Sequence, residues 1–511
     1  MFEQKLQKMK EWLKKNDFSL IAIAILICGI VCHFEAIKND LVTYDGYWNF
    51  HHYIAGSWEI SLGRFLIPYI DSLYNGISST YIATIISLFI YIFITIKIIN
   101  LLHIHNRFYK VLIAILLVIN PTFSYMLLYP YTAVAYSLSM LFAVISAEYL
   151  CRKTSLKNGA IAILFLVLSL SIYQAYFSVI TVLWLIFKTF QFITEQSFKI
   201  KEFLKDAIYA FLILLCGLII YYGLVQLFLK FNNFALSEYG GANSVVSFST
   251  IKNLPHAIKE VYKLCFCFYF QKYIYTNQVF ARHYLYSILF IIIIINYYLL
   301  YKERKLSKSK GLCLGLLFFL YPLMVCSLNI FVTNYYSKIG ILMATSLNLF
   351  YLIIFKQMEL IQGPKHYNFL KRITLIFIIA IYCTFYLTNL ASYILIKQYN
   401  SQMYNTGNQV LSYLENKDLL KDNSRIILTG NLAFNSNLSE ILLPFVNFDI
   451  KNFGHNICGH YFINYIAGEF GMDPIYGIPY QYQQVVDDLA IFPSPNSIFQ
   501  VDNLIIVKIG N

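Results

Sequence analysis

The sequence predicts an all-α polytopic membrane protein that carries a small α/β domain at its C-terminal end. Three observations lead there. Of 511 residues, 59% are hydrophobic and 13% charged, with a mean hydropathy of +0.60; soluble domains carry about twice that share of charge. The apolar residues fall in blocks of about 20, enough to cross a hydrocarbon core of roughly 30 Å as helix. After about residue 396 those blocks stop, and Asn, Asp, Gly and Pro become frequent.

The first element follows a basic stretch, MFEQKLQKMKEWLKKND, and runs apolar from Phe18 to about Cys32. A signal peptide has the same order of parts, but VCHFEAIKND follows in place of a small-residue cleavage site, so an uncleaved first transmembrane helix is expected. Ten further spans are expected, giving eleven near 18–38, 80–101, 111–129, 131–150, 159–173, 176–194, 207–229, 284–301, 311–330, 339–356 and 373–396. The fifth is short and runs almost directly into the sixth.

Lys and Arg accumulate in cytoplasmic loops. With the N-terminus inside, the basic runs CRKTSLKNG and YKERKLSKSK fall on the cytoplasmic side, while the first loop, 39–79, holds Arg64 and no lysine and faces out. Residues 1–396 then form a membrane domain with exterior loops 39–79 and 230–283, and 397–511 an exterior domain. Within that domain MYNTGNQVLSYLENKDLL lets Val410, Leu411, Leu414 and Leu419 share one helical face. SRIILTGN and NLIIVKIGN, β-branched and bounded by turn residues, read as strands.

The net charge of +13 lies mostly in short loops between spans, which points to membrane orientation and away from nucleic acid. Most of the ten cysteines sit inside apolar blocks as small hydrophobes, and Cys265-x-Cys267 has no second pair to make a zinc site.

The densest cluster of ionisable groups is TYDGYWNFHHYIAGSWEISLGRFLIPYID, residues 43–71. Here and just before it Asp40, Asp45, Glu59 and Asp71 could take a proton from an acceptor hydroxyl or hold a divalent metal. Arg64 suits bidentate binding of a phosphate. Trp58 and its aromatic neighbours suit the membrane interface, and also a sugar ring. The adjacent His51 and His52 are read as solvated side chains. Later, Lys272, Arg282 and His283 precede the eighth span, where they could hold a lipid phosphate or anchor to headgroups. EYGGAN, from Glu238, has the composition of a mobile lid. No phosphate-loop motif is present, so ATP or nucleotide-sugar chemistry inside the cell is not expected as the energy source.

GRFLIPYI, after an acidic residue in the first exterior loop, resembles the Gtr-type (type II) serotype-conversion glucosyltransferases of bacteria. SLSIYQAYFSVI adds a Tyr-Gln, Tyr173 and Gln174, at the outer end of the fifth span, as that family tends to have. Phe65 departs from the pattern, which more often has Trp after the Gly-Arg, but keeps an aromatic.

The resemblance implies a GT-C-like membrane domain in the bacterial inner membrane. The implied reaction moves a hexose, glucose in this family, from a polyprenyl-phosphate carrier to a surface polysaccharide such as O-antigen. It implies Asp45 as general base, with Glu59 second and Asp40 third, and Arg64 on the phosphate or fixing a carboxylate. Trp58, Tyr173 and Gln174 would face sugar or acceptor. The implied partners are the lipid-linked donor, the glycan acceptor, membrane lipid, a small flippase and a cytoplasmic polyprenyl-phosphate sugar transferase, with no nucleic acid.

The rivals are a GT-C transferase for another sugar or acceptor, an O-antigen polymerase-like enzyme, and a transporter or flippase of lipid-linked sugars. A polymerase should show a large late exterior loop and arginine-rich loops. A transporter should carry charges near the bilayer midplane, whereas Lys97, Glu148 and Lys188 lie near span ends.

Overall fold

The structure is a computed structural model, and it describes residues 17–43, 45, 46, 49, 51–195, 199–238, 252–270, 282–330, 341–361, 365–420, 424–430 and 478–510. The helices that matter here are α1 (Phe18–Lys38), α2 (Ser57–Ser61), α3 (Ile67–Ser72), α4 (Thr80–Leu101), α5 (Arg107–Ile119), α6 (Pro121–Leu127), α7 (Pro130–Cys151) and α8 (Leu156–Leu170). They continue with α9 (Phe177–Thr194), α10 (Ile200–Asn232), α11 (Leu254–Phe270), α12 (Arg282–Glu303), α13 (Lys308–Val325), α14 (Phe350–Leu360) and α15 (Lys365–Asn416).

Among the described residues eight helices are long and apolar enough to cross a membrane, or nine if the bent pair α5–α6 is one span. The other expected spans are helical but fall short of that standard. The fifth is the 15-residue α8, and the tenth is broken into short helices over 341–360.

The 46° bend between α5 and α6 has a local cause. Pro121 has no N–H to donate, and the Asn120 side chain accepts from Thr122 N at 2.9 Å in place of the helical carbonyl. The carbonyls freed by the break are taken up from other helices. His33 Nε2 donates to Val118 O and Asn389 Nδ2 to Ile119 O, each at 2.8 Å. In a membrane such backbone groups must be satisfied by protein. His33 Nδ1 in turn accepts from the Tyr393 hydroxyl at 2.7 Å.

Helix α11 lies in the expected exterior loop 230–283, yet its Ala257, Val261, Leu264, Cys265 and Phe268 are buried. Their three- and four-residue spacing makes one apolar face, which packs against the bundle. The helix expected over Val410–Leu419 is the continuation of the last span, since α15 runs unbroken for 52 residues, about 78 Å at 1.5 Å per residue. The boundary expected at 396/397 therefore falls inside one helix.

Both strands expected near the C-terminus form. β3 (Arg425–Thr429) pairs parallel with β5 (Leu504–Lys508), and β4 (Ile498–Val501) pairs antiparallel with β5; β1 (His51–His52) and β2 (Ile77–Ser78) belong to the first loop. The sheet's Ile426, Ile427, Ile505 and Ile506 share a core with Val410 and Leu414 of α15, with Leu41 and Val42 of loop 39–79 and with Leu128 of the bundle. The sheet thus sits at the same end of the bundle as loop 39–79.

Candidate active site

Loop 39–79 is a folded unit. β1 (His51–His52) pairs antiparallel with β2 (Ile77–Ser78), and Tyr53 N donates to Gly76 O at 2.7 Å, so its two ends meet. Between them α2 and α3 are joined by a tight turn at Gly63, whose φ of +81° suits glycine. A Cβ there would also stand 2.5 Å from the Tyr221 hydroxyl of α10.

The four carboxylates have different settings. Asp40 Oδ1 accepts from Thr80 N at 2.6 Å and so caps the start of α4. Glu59, 5% exposed, caps the start of α2: Oε2 accepts from Gly56 N at 3.0 Å, and Oε1 accepts from the Tyr53 hydroxyl at 2.6 Å. Asp71 is fully buried and accepts from Ala55 N at 2.9 Å and the Tyr74 hydroxyl at 2.8 Å. Burial pushes its carboxyl up to about 6, against the pull of those two bonds and with help from Glu59 nearby.

Asp45 differs from all three. It is partly exposed, and among the described residues nothing donates a hydrogen bond to its carboxylate. Burial pushes this carboxyl up to about 6 as well.

Arg64 follows the Gly63 turn, with its N–H on Glu59 O at 2.8 Å. Its Nη1 donates to the Tyr136 hydroxyl at 3.1 Å and its Nε to Gln174 Oε1 at 3.4 Å. The guanidinium lies 5.3 Å from the centre of the Tyr173 ring, which stacks on Tyr136 with centroids 4.3 Å apart and planes 19° off parallel. These partners are neutral. Among the described residues no carboxylate comes within 4.0 Å of Arg64. Gln174 is fixed by two bonds from its Nε2, to Leu62 O at 2.7 Å and to the Tyr221 hydroxyl at 2.8 Å. Tyr221 donates to Gly63 O at 3.1 Å. Phe65 stacks on Phe228 of α10 at 4.3 Å.

Of the residues singled out from sequence, Arg64, Tyr173 and Gln174 meet directly. Tyr136 joins them to the acidic groups, lying within electrostatic range of Glu59 and Asp45. Trp58 is 51% exposed on α2. Asp40 lies at the α4 cap, and His52 is exposed. Lys272 and the side chains of His51 and Arg282 lie outside the described residues, as does most of EYGGAN. His283, near the start of α12, lies against Tyr284 with ring centres 4.1 Å apart. Tyr136 and Tyr221 carry no sequence signal, because 44 tyrosines crowd this chain and neither stands in a polar segment. Among the described residues no three of His, Cys, Asp and Glu converge as metal ligands.

Residues 36–358, more than half the chain, match the family described as glucosyl transferase GtrII. The chain belongs to that family. The matched region contains the whole of loop 39–79 from Asp40, the Tyr173-Gln174 pair and α10, and it ends before α15 and the sheet. No curated protein and no solved structure gives a significant match. A glucosyl transferase family together with membrane-length apolar helices makes this a membrane glycosyltransferase.

Proposed function

We propose that the protein moves a hexose, glucose by its family, from a polyprenyl-phosphate carrier to a hydroxyl of a surface glycan such as O-antigen. The reaction belongs on the exterior face of a bacterial inner membrane, with the N-terminus in the cytoplasm and residues 397–511 outside. The scarcity of basic residues in loop 39–79 supports that side.

One observation carries the reading. Arg64 is a cation whose hydrogen bonds go to neutral groups, Asp45 is a partly exposed carboxylate with no hydrogen bond from the described residues, and Tyr136, bonded to Arg64, lies within electrostatic range of Asp45. A charge that no carboxylate pairs in direct contact, Glu59 acting on it only from beyond 4.0 Å, is available to a substrate's phosphate. A carboxyl poised at about 6 can both hold and release a proton near neutral pH.

In the reaction Asp45 accepts the proton of the acceptor hydroxyl while the acceptor oxygen forms a bond to the anomeric carbon. The bond from that carbon to the phosphate oxygen breaks, and its electron pair leaves on polyprenyl phosphate, whose charge Arg64 stabilises. Attack opposite the leaving group inverts the anomeric carbon. Glu59 and Asp40 are less suited as base, since each carboxylate already serves a helix start. Trp58, half exposed on α2, is assigned to a sugar ring, and Tyr173 and Gln174 hold Arg64. Lys272, Arg282 and His283 remain candidates for the donor's headgroup, and a flippase and a cytoplasmic polyprenyl-phosphate sugar transferase would supply the donor.

The test is direct. Purified protein in lipid nanodiscs should consume polyprenyl-phosphate glucose when envelope glycan is added, releasing polyprenyl phosphate. If UDP-glucose is consumed and the lipid-linked sugar is not, the donor assignment is wrong.

A further inference from the structure

The hold on Arg64 is set partly from a different helix. The bond from Arg64 Nε to Gln174 Oε1 is long, 3.4 Å, so a small turn of the amide would break it. The amide nitrogen is anchored twice, on Leu62 O at 2.7 Å and on the Tyr221 hydroxyl at 2.8 Å. With both of its protons committed there, the amide oxygen has to face Arg64. Tyr221 gives its own proton to Gly63 O at 3.1 Å, so one phenol fixes both the amide and the turn from which Arg64 projects.

The rest of α10 shows how selective this contact is. Tyr222, Leu227 and Phe231 are exposed, while Tyr221, Val225, Phe228 and Leu229 form the stripe that meets Phe65 and the turn. Nothing charged takes part, so the arrangement aims the guanidinium without reducing its charge.

We infer that Tyr221 is a positioning residue for the sugar donor. Through Gln174 and the Gly63 carbonyl it keeps Arg64 directed at the donor's phosphate; this rests on the role given to Arg64 above. Removing the hydroxyl leaves an amide N–H and a carbonyl without partners. Gln174 then turns or water enters, and in either case Arg64 loses a fixed acceptor.

The experiment measures binding of polyprenyl phosphate, and of the uncharged polyprenol, to the full-length protein in nanodiscs. The proteins compared are wild type, Tyr221→Phe, Arg64→Ala, the double variant, and Tyr222→Phe as a control on the exposed side of the same helix. Tyr221→Phe should weaken polyprenyl phosphate roughly tenfold, leave polyprenol unchanged, and add nothing once Arg64 is alanine. Tyr222→Phe should match wild type. In turnover, Tyr221→Phe should raise KM for polyprenyl-phosphate glucose more than it lowers kcat.

Equal losses for both lipids, or losses that add fully to those of Arg64→Ala, overturn the inference, because Tyr221 would then act on site shape and not on Arg64. A different result marks failure of the underlying reading: Arg64→Ala binding polyprenyl phosphate as wild type does would remove the phosphate role of Arg64, and with it any such role for Tyr221.

Discussion

Loop 39–79 and the opposite end of the helix bundle treat charge in different ways. At the end opposite loop 39–79, acids are matched with bases. Asp17 accepts from Lys110 at 2.8 Å and Arg107 at 3.0 Å, and Glu148 pairs with Lys97 at 2.8 Å and with Arg152. Asp206 pairs with Lys188 at 2.6 Å, the lysine side chain being 4% exposed, and Glu359 pairs with Lys356 at 3.3 Å. Within loop 39–79, phenols and backbone N–H groups hold Glu59 and Asp71, and phenol, amide and ring hold Arg64. Ion pairs fix helix ends and cancel each other's field. Neutral partners orient a side chain and leave its charge to act on something else. The opposite end is tied by its ion pairs, whereas loop 39–79 leaves Arg64 without a contact ion pair, as the phosphate role proposed for it requires.

That contrast can be broken by experiment, and the largest effect should come from the acid. Asp45→Asn should lower sugar transfer by about 10³-fold, within the range for loss of a general base, with unchanged membrane levels on immunoblot. Arg64→Ala should lower turnover of the lipid-linked donor by roughly 10²-fold, and Arg64→Lys should recover only part of it because a lysine lacks the fork.

The pH profile is the next measure. Since the Asp45 carboxyl sits at about 6, its base form accumulates above that value, so the rate should rise about tenfold between pH 5 and 7 and then level off. The raised carboxyls have a second consequence. Asp45 and Asp71 are shifted from 3.8 to about 6, so the folded protein binds protons more tightly than the unfolded chain in that window. Stability should therefore fall as pH rises from 4 to 6 and stay flat above, and Asp71→Asn should flatten that slope in thermal melts.

The smallest effect on activity belongs to the opposite end. Lys188→Met leaves Asp206 without its base and should cost about 2 kcal/mol of stability, seen as a lower Tm. Transfer per folded molecule should stay within about twofold of wild type. A large loss of transfer there would erase the distinction between the two ends.

Much of the bundle was legible beforehand because spans announce themselves by length and hydropathy. Phe18–Lys38, Thr80–Leu101 and Pro130–Cys151 lie within about a residue of the expected bounds. The strands around Ile426 and Ile506 were equally plain from β-branched runs between turn residues. What escaped were features set by contacts between distant segments. Whether 111–129 is straight depends on Asn120-Pro121 and on His33 and Asn389 being there to accept the break. The helix over 254–270 looked like loop because it is short and moderately polar, and its burial depends on a bundle already in place.

The sequence by itself determined that this is a membrane protein and where its polar cluster lies, because hydropathy and charge are summed along the chain. It also supplied Asp45, Arg64 and Gln174 as candidates, since polar groups stand out beside apolar blocks. Only the tertiary structure could sort four similar carboxylates, because their difference lies in which N–H or hydroxyl reaches each one. Only it could bring Tyr136 and Tyr221 to Arg64 from helices 72 and 157 positions away. A tyrosine's neighbours in sequence say nothing about what its hydroxyl meets in space.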